Sequence, residues 1–334
     1  MKVGKISESV LKRSVLKQIK VNKDSKMLSG ASVGADCAIF SFSGAGFSNI
    51  MTCVQEAAVA GKADMERILH KTANGVACAG AVPIAAMISL MLPESMEEAK
   101  LQELMCEARR VCDKIGMALA GGQTNVWADI LKPHVSVTVL GTVAGEKTIL
   151  PGRAKPGQDI VISKWIALEG TAMIAKTLGE QMTARYPLYF IEEAASFGKY
   201  ISVLPEAQIA ADKGVSAMHD VSEGGIFRAL WEIAESAGTG LNVDLKKIPI
   251  RQETVEVCEF FQISPYELLS GGSLIMVADD GEGLTEALLE AGIPAAVVGK
   301  LTAGNDRVIV NEEETRFLDR PRTDEIYKVE ALWK

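Results

Sequence analysis

The apolar residues of this chain recur with two different periods, which predicts a mixture of helices and strands. Over residues 96–119 they return every three or four positions, opposite a face of Glu, Lys and Arg, as in an amphipathic helix. Over His134–Val143, valines alternate with more polar residues, which predicts a strand with one buried face. A short basic helix around residues 9–19 and extended runs at 34–42 and 48–54 complete the first half.

The second half of the chain combines the same two patterns. We predict strands at Asp159–Ser163, Ser273–Ala278 and 295–299, and helices at 168–178, 223–237 and 282–291. Hairpin signals are few, so the pattern favours an α/β or α+β fold. The Pro and Gly residues of LPGRAKPG, at 150–157, indicate a linker between two domains, 1–150 and 151–334.

An apolar stretch at residues 73–92 has the length of a membrane span, but its composition argues against one. Its first half is rich in Ala and Gly, and Pro83 interrupts it. We therefore expect a closely packed helix that ends near Gly80, followed by a buried strand over residues 84–90. No membrane partner is predicted.

Composition and charge narrow the class of protein. The 334 residues are 48% hydrophobic and carry 35 basic against 43 acidic side chains, a net charge of −8. These values are typical of a globular protein and exclude the disordered and fibrous classes. Nucleic-acid binding needs clustered Lys and Arg, and this acidic chain is only 5% aromatic, so no nucleic-acid partner is predicted.

Cysteine usage and the opening residues indicate a cytoplasmic protein. Six cysteines lie singly in apolar segments with no CxxC pair, which predicts reduced core residues. The chain opens on charged residues without the apolar region of a secretory signal. The histidines, at 70, 134 and 219, are too widely spaced for a metal motif.

Three glycine turns carry the candidate chemistry, and the first two come from the N-terminal half. Asp36 follows Gly34 at the mouth of an apolar strand, where a carboxylate either caps a turn or binds Mg²⁺ beside a nucleotide phosphate. The second turn either ends the preceding helix or presents backbone amides and polar side chains to a phosphate or ribose. Its residues are Gly121, Gly122, Gln123, Thr124 and Asn125.

The third turn offers the N-terminus of a predicted helix to an anion. Asp220 and Glu223 have the spacing of a capping box, with Asp in the cap position. Gly224 and Gly225 expose backbone N–H groups at the positive end of the helix dipole. The alternative is a helix cap that serves close packing alone. The sequence contains no Walker A motif, and no GxGxxG follows a strand.

Taken in order, these motifs resemble the aminoimidazole ribonucleotide (AIR) synthetase superfamily. They are Gly34-x-Asp36-x-Ala38, Gly80-Ala81-x-Pro83, Gly121-Gly122-x-Thr124 and Met218-His219-Asp220-x-x-x-Gly224-Gly225. The superfamily includes the hydrogenase-maturation family HypE, selenophosphate synthetase and thiamine-monophosphate kinase. Residues 150–164, 217–234 and 248–274 resemble HypE most, including its GD-x-I-x-VSG strand and its L-x-E-I-A helix.

The resemblance implies a PurM-like two-domain fold, in which the N-terminal α/β domain forms a β-barrel with that of a second copy. It implies a homodimer that binds ATP near the dimer interface, with Mg²⁺ on clustered Asp residues, of which Asp36 is one. It also implies phosphoryl transfer to an oxygen or amide of a small-molecule or protein acceptor, with backbone amides neutralising the developing charge. Lys164 is expected to help hold the triphosphate.

Three acidic positions of the HypE pattern are neutral in this chain. Cys53, Gly75 and Gln123 stand there, which leaves Asp36 and Glu56 as candidate oxygen ligands. The loss of about three negative charges should weaken a site for a hard divalent cation. HypE also carries a terminal cysteine that accepts the substrate-derived group, and no cysteine follows position 258 here. The thiol chemistry of HypE is therefore not expected.

Two functions remain open from the sequence. The first is a HypE-like enzyme that binds ATP and activates an acceptor without the terminal-cysteine step. The second is a non-catalytic, dimeric nucleotide-binding or regulatory paralogue that has lost the Mg²⁺ site. Nucleotide binding that is independent of Mg²⁺ and never followed by turnover would favour the second.

Overall fold

A computed structural model describes residues 8–10, 12–13, 16, 27–29, 32–35, 37–41, 49–143, 147–330 and 332. The chain divides into two compact units. The N-terminal unit comprises the described residues within 24–30 and 36–148, and the C-terminal unit comprises those within 1–23, 31–35 and 149–334. A three-residue helix, α1 (Glu8–Val10), belongs to the C-terminal unit.

The N-terminal unit contains a six-stranded sheet in the order β1-β2-β3-β6-β4-β5. Its strands are β1 (Met27–Ser29), β2 (Ala38–Ser41), β3 (Asn49–Ala58), β4 (Val82–Leu92), β5 (Ala118–Val126) and β6 (His134–Val143). Neighbouring strands are antiparallel except β4 and β5, which are parallel. Two helices, α2 (Lys62–Ala77) and α3 (Glu98–Ile115), pack on this unit.

Helix α2 covers one face of this sheet with its apolar side. Met65 and Leu69 of α2 are buried, as are Val135 and Val137 of β6, which has the predicted bounds. A Cβ on Gly141 would lie 2.2 Å from Cγ1 of Val76, so the glycine lets α2 approach β6 closely. The alternating valines therefore form the sheet side of the core between β6 and α2.

Among the described residues of the unit, none covers the opposite face of the sheet. Val54, Thr138 and Met87 are direct partners across β3, β6 and β4, so they share this face, which we call the open face. Val54 is 62% exposed and Met87 47%, whereas Leu90 on the other face is buried. The expectation of a fully buried strand over residues 84–90 is thus wrong for one face. The run is apolar on both faces, so its pattern did not show which face is covered.

The apolar stretch at residues 73–92 is divided between a helix and a strand, as predicted. Helix α2 ends at Ala77, Gly80 turns the chain with a φ of 78°, and β4 begins at Val82. Across the described part of the chain, no helix combines the length and the apolar character needed to cross a bilayer.

The C-terminal unit contains a seven-stranded sheet in the order β13-β12-β9-β11-β7-β10-β8. Its strands are β7 (Asp159–Ser163), β8 (Ala217–Val221), β9 (Gly240–Asp244), β10 (Ser273–Ala278), β11 (Ala295–Thr302), β12 (Arg307–Asn311) and β13 (Glu314–Phe317). Its remaining helices are α4 (Leu168–Met182), α5 (Leu188–Ser196), α6 (Leu204–Asp212), α7 (Gly225–Ala237), α8 (Gln252–Phe260), α9 (Gly281–Glu290) and α10 (Ile326–Glu330). Short 3-10 turns lie at Pro151–Arg153, Phe197–Tyr200 and Leu245–Lys247.

Helix α7 begins two residues later than predicted and ends where predicted. Gly238 closes it with a φ of 65°, and its N–H contacts the carbonyl oxygens of the last turn. The N-cap is Gly224, with a φ of 88° and no side-chain cap. Asp220 lies inside β8, so the capping box predicted for Asp220 and Glu223 does not form.

Most cysteines lie in the core, as their apolar surroundings predict. Cys53, Cys78, Cys112 and Cys258 are buried, and each is a thiol rather than half of a disulfide. Burial raises the pKa of Cys112 to about 11, as expected for a thiol removed from water. The two exceptions are Cys37, which is partly buried, and Cys106, which lies exposed on α3.

Candidate functional site

The first predicted turn is described only in part, because Asp36 lies outside the described residues. Gly34 before it has a φ of 75°, and a Cβ there would lie 2.5 Å from the carbonyl oxygen of Glu232 in α7. Glycine at 34 is therefore required by both backbone conformation and close approach. The apolar strand predicted after the turn forms as β2.

The second predicted turn is not a turn. Gly121, Gly122, Gln123, Thr124 and Asn125 all lie within β5, an edge strand paired in parallel with β4. The helix before it ends instead at Gly116, which adopts a φ of 85° as the C-cap. The predicted helix end near residue 119 was wrong because the apolar Leu119 belongs to the strand rather than to the helical stripe.

The two glycines of β5 are required by the backbone. The register between β4 and β5 shifts between Ala86 and Met87, which leaves one extra residue in β5, a β-bulge. Gly121 and Gly122 have φ values of 145° and 149°, a region that L side chains rarely adopt. A Cβ on Gly122 would also lie 1.7 Å from the carbonyl oxygen of Ile88, so only glycine fits beside β4.

The polar side chains of β5 are exposed rather than used in the core. Gln123 and Asn125 share the open face, and Nε2 of Gln123 donates to Oδ1 of Asn125 at 3.2 Å. Thr124 lies on the opposite face and is also exposed. Exposed amides beside a backbone without side chains provide donors and acceptors for a polar ligand.

The described residues of this sheet do not fit a magnesium site. Glu56 and Gln123 share a row of the open face, with Ser136 and Ser89 between them. Three strand spacings separate them, about 14 Å, which is too far for one ion. Cys53 is buried in the core. Within the described ranges, no three His, Cys, Asp or Glu side chains lie close enough to hold a metal.

The third predicted turn joins β8, an edge strand, to α7. Asp220 is buried near the end of β8. Burial lowers the pKa of Lys164, and the charges of Glu206 and, to a smaller extent, Asp220 oppose that shift. Side chains alternate along a strand, so His219 faces the other side. Its Nε2 lies 3.0 Å from Oε2 of Glu232 in α7.

The two glycines at the start of α7 hold left-handed conformations, with φ values of 88° and 66°. A Cβ on Gly225 would lie 2.5 Å from the carbonyl oxygen of Tyr266, so a side chain is excluded there. The N–H of Gly224 donates to the carboxylate of Asp324. The amide predicted to face a ligand phosphate thus binds an anion of the same chain.

Glu223 is also turned toward the C-terminal residues. Burial raises the pKa of the Tyr327 phenol, and the charge of Glu223 adds to that shift, as does a hydrogen bond between the two side chains. Glu223 is half-buried and does not cap the helix. Of the predicted residues in this turn, Glu223 and Gly224 therefore have partners within residues 324–327.

Lys164 has internal partners, which corrects its predicted role as a triphosphate ligand. Its Nζ donates to the carbonyl oxygens of Tyr200 and Ser202 at 3.0 and 2.6 Å and forms an ion pair with Glu206 at 2.6 Å. Three acceptors use the three N–H groups of the ammonium. Lys164 has a φ of 54° at a position where the HypE pattern has glycine.

Sequence reasoning missed Asp324, Arg228 and Glu206. Asp324 lies 100 residues from Gly224, so no local pattern could pair them. Arg228 follows one helical turn after Gly224, and that spacing was a signal that could have placed a cation beside the turn. Glu206 falls in a part of the chain whose pattern is irregular, and Lys164 lies far from it in sequence.

Family comparisons agree with this architecture. The N-terminal domain of AIR synthase related protein matches residues 34–143, and the C-terminal domain of the same family matches residues 155–311. The chain therefore belongs to the AIR synthase-related family. The predicted resemblance to this superfamily, and to HypE within it, is confirmed.

Among its relatives is carbamoyl dehydratase HypE of Rhodobacter capsulatus, 28% identical over 238 residues, or 70% of this chain and 68% of the relative. A chain of a HypE–HypF complex superposes with a TM-score of 0.73 at 18% identity, covering 86% of this chain and 94% of that one. HypE in complex with ATP gives a TM-score of 0.72 at 19% identity, covering 87% and 89%. At these identities the structural likeness establishes the PurM-like fold.

Proposed function

We propose that this chain binds ATP and transfers its terminal phosphoryl group to an oxygen or amide acceptor, in a small molecule or a protein. The exposed polar strand β5 carries the proposal, because its side chains are not required by the core of the unit. A HypE relative solved in complex with ATP supports the choice of ligand. The HypE–HypF complex supports a protein partner, and a hydrogenase maturation protein among the structural relatives supports a role related to that process, which we place in the cytoplasm.

The proposed chemistry requires neutralisation of charge more than covalent catalysis. The acceptor oxygen forms a bond to the γ-phosphorus as the bond to ADP breaks, and negative charge spreads over the phosphoryl oxygens. Gly121 and Gly122 leave the β5 backbone open to close approach, while Gln123 and Asn125 offer amide N–H donors. Mg²⁺ is assigned no role in this transfer, since the described donors do not fit the ion. The proposed ligand role of Asp36 rests on sequence alone.

A non-catalytic, nucleotide-binding paralogue is the second candidate. One observation favours it. Cys53, Gly75 and Gln123 replace acidic residues of the HypE pattern, and the described carboxylates do not cluster in a group that could hold a metal ion. Hard divalent cations rely on anionic oxygen ligands, so a chain with this donor set is expected to bind nucleotide without strict dependence on Mg²⁺. Release of ADP in the presence of small amides or a partner protein separates the two candidates. Binding without release would support the paralogue.

We also propose that the domains 1–150 and 151–334 act within a homodimer and that the open face of the N-terminal sheet is the dimer surface. Val54, Val82 and Met87 expose apolar area there, and a soluble monomer seldom exposes a large apolar patch. We expect Val54→Glu to convert the dimer to a monomer, as measured by light scattering. Leu188→Glu, an equally exposed apolar position of the C-terminal unit, is the matched control. A wild-type monomer would contradict the proposal.

A further inference from the structure

A cavity of about 380 Å³ lies at one edge of the N-terminal sheet, outside the ends of β3 and β4. We call it the edge pocket. Strands β3 and β4 are both antiparallel to β6, so they run in the same direction, and the start of β6 lies between their carboxyl ends. Ligands of open α/β sheets bind outside the carboxyl ends of strands. The volume suits a small molecule rather than a segment of another protein.

Backbone hydrogen bonds hold the walls of the edge pocket in place. On the β3 side, the N–H of Val59 donates to the carbonyl oxygen of Pro133 at 2.8 Å. On the β4 side, the N–H of Met96 donates to the carbonyl oxygen of Pro93 at 3.0 Å and closes the turn that leads into α3. All four residues line the pocket. The pocket is therefore preformed, as small-molecule sites usually are.

The buried lining residues form an apolar floor. Val59 and Leu104 are each 1% exposed, and Pro93 is also buried. Leu131, on the rim, is 90% exposed. An apolar group bound here would leave water together with the Leu131 side chain, and the gain in free energy grows with the apolar area covered. The occupant of the pocket is therefore expected to have an apolar body.

The rim of the edge pocket carries more positive than negative charge. Lys100 and Lys132 line it, against the one carboxylate of Glu97. Nζ of Lys100 lies 3.2 Å from Oε2 of Glu103, in an exposed pair that contributes little to stability and rearranges readily. Lys132 forms no ion pair within the part of the chain that the structure describes. The rim therefore favours an anionic head group.

We propose that the edge pocket binds a small organic acid. Its apolar body lies on Val59 and Leu104, and its carboxylate lies between the ammonium groups of Lys100 and Lys132. A free phosphate would leave the apolar floor unused, so the acid is the class that matches both halves of the lining. None of the described residues of β5 lines the pocket, so binding of the acid does not require a nucleotide.

Methyl NMR on the full chain tests the site directly, because Val59, Leu104 and Leu131 carry methyl groups. The probes are octanoate, octanol and octylamine, which share an apolar body and differ in the charge of the head group. We expect octanoate to shift these methyl signals saturably, octanol to bind about five-fold more weakly, and octylamine to bind more weakly still. No shift with octanoate, equal affinity for octanol, or tighter binding of octylamine would overturn the proposal.

A pair of lysine variants tests the contact with the carboxylate. Lys132 is exposed, so Lys132→Met removes the charge without disturbing the core. Its affinity for octanoate should fall about five-fold and its affinity for octanol should stay the same, since only the charged head group uses the lysine. Lys213→Met, at an exposed lysine of the C-terminal unit, should bind octanoate as the wild type does. Equal octanoate affinity of Lys132→Met and the wild type would contradict the contact. No sample contains nucleotide, so these results leave the proposed function to its own test.

Discussion

Two glycine pairs in this chain were both candidates for a phosphate contact, yet the polar groups around them are used in opposite ways. Around Gly121 and Gly122, the side chains of β5 are exposed and bond to one another. Around Gly224 and Gly225, the backbone donates to a buried carboxylate of the same chain. The comparison shows that a glycine pair makes the backbone accessible. The surrounding residues then determine whether a ligand or a side chain of the same protein bonds to that backbone.

The largest effect is expected at a buried ion pair of the C-terminal unit, where polar groups bond within the chain as they do at Gly224. Glu206→Gln removes the anion that pairs with the buried Lys164, at 2.6 Å, and leaves that ammonium without a charged partner. We expect a loss of about 3–5 kcal/mol in the free energy of unfolding, measured in urea. Glu103→Gln breaks an exposed pair with Lys100 and should cost under about 1 kcal/mol. A similar small loss in the free energy of unfolding for both variants would show that water reaches the Lys164 ammonium in the folded protein.

A glycine substitution in β5 tests whether its backbone is required even though its side chains are open. Gly122→Ala places a Cβ against the Ile88 carbonyl and also forces an unfavourable φ, so we expect about 3 kcal/mol of destabilisation in urea unfolding. In Gly121→Ala the new Cβ has no neighbour within 4 Å, and only the φ of 145° is unfavourable. The loss in the free energy of unfolding should therefore be smaller, about 1–2 kcal/mol. Equal losses would mean that the close approach to β4 is unimportant.

The pH dependence of stability tests the buried Asp324 carboxyl, which bonds to the N–H of Gly224 at the start of α7. The pKa of Asp324 is about 6 in the folded chain, above its unfolded value near 4, so the folded state binds this proton more tightly. Asp324 therefore contributes about 2 kcal/mol to the free energy of unfolding below about pH 4, and this contribution is lost as the pH rises through about 6. Relative to Asp324→Asn, the wild type should lose that amount between about pH 4 and 7 in urea unfolding. A constant difference between the two proteins would contradict the burial of an ionisable carboxyl.

The smallest effect on stability is expected from a change in the exposed side chains of β5, which should instead alter the affinity for ATP. Gln123→Ala removes an exposed amide of β5, so the free energy of unfolding should change by under about 0.5 kcal/mol. Its affinity for ATP should fall about ten- to a hundred-fold, as for the loss of one hydrogen bond to a charged group. Gln102→Ala, an exposed glutamine of α3, should leave that affinity unchanged. An effect on stability without one on affinity would assign Gln123 to the fold.

Much of the fold could be predicted from local pattern, because periodicity is a property of neighbouring residues. The strands β6, β7 and β10 have their predicted bounds, and α3 and α7 differ from prediction only at their ends. Strand β5 was missed because its paired glycines resemble a helix stop, while the true stop is Gly116, five residues earlier. The glycines serve a β-bulge, whose partner strand is remote in sequence.

The candidate site was harder to predict, because its partners are distant along the chain. Gly224 and Gly225 were expected to expose N–H groups at the start of a helix, and their partner Asp324 could not be predicted from spacing because it lies 100 residues away. Lys164 was expected at a phosphate because an unpaired cation suits one. Its buried partner, Glu206, is set by tertiary packing alone.

ATP binding by the wild-type chain is the property on which the proposed function depends most directly. Calorimetric titration with ATP, with and without Mg²⁺, measures it in one experiment. We predict binding in both conditions, with at most a small gain from Mg²⁺, because the described carboxylates do not converge on a metal. No binding in either condition, by protein that is folded by circular dichroism, would contradict the central claim.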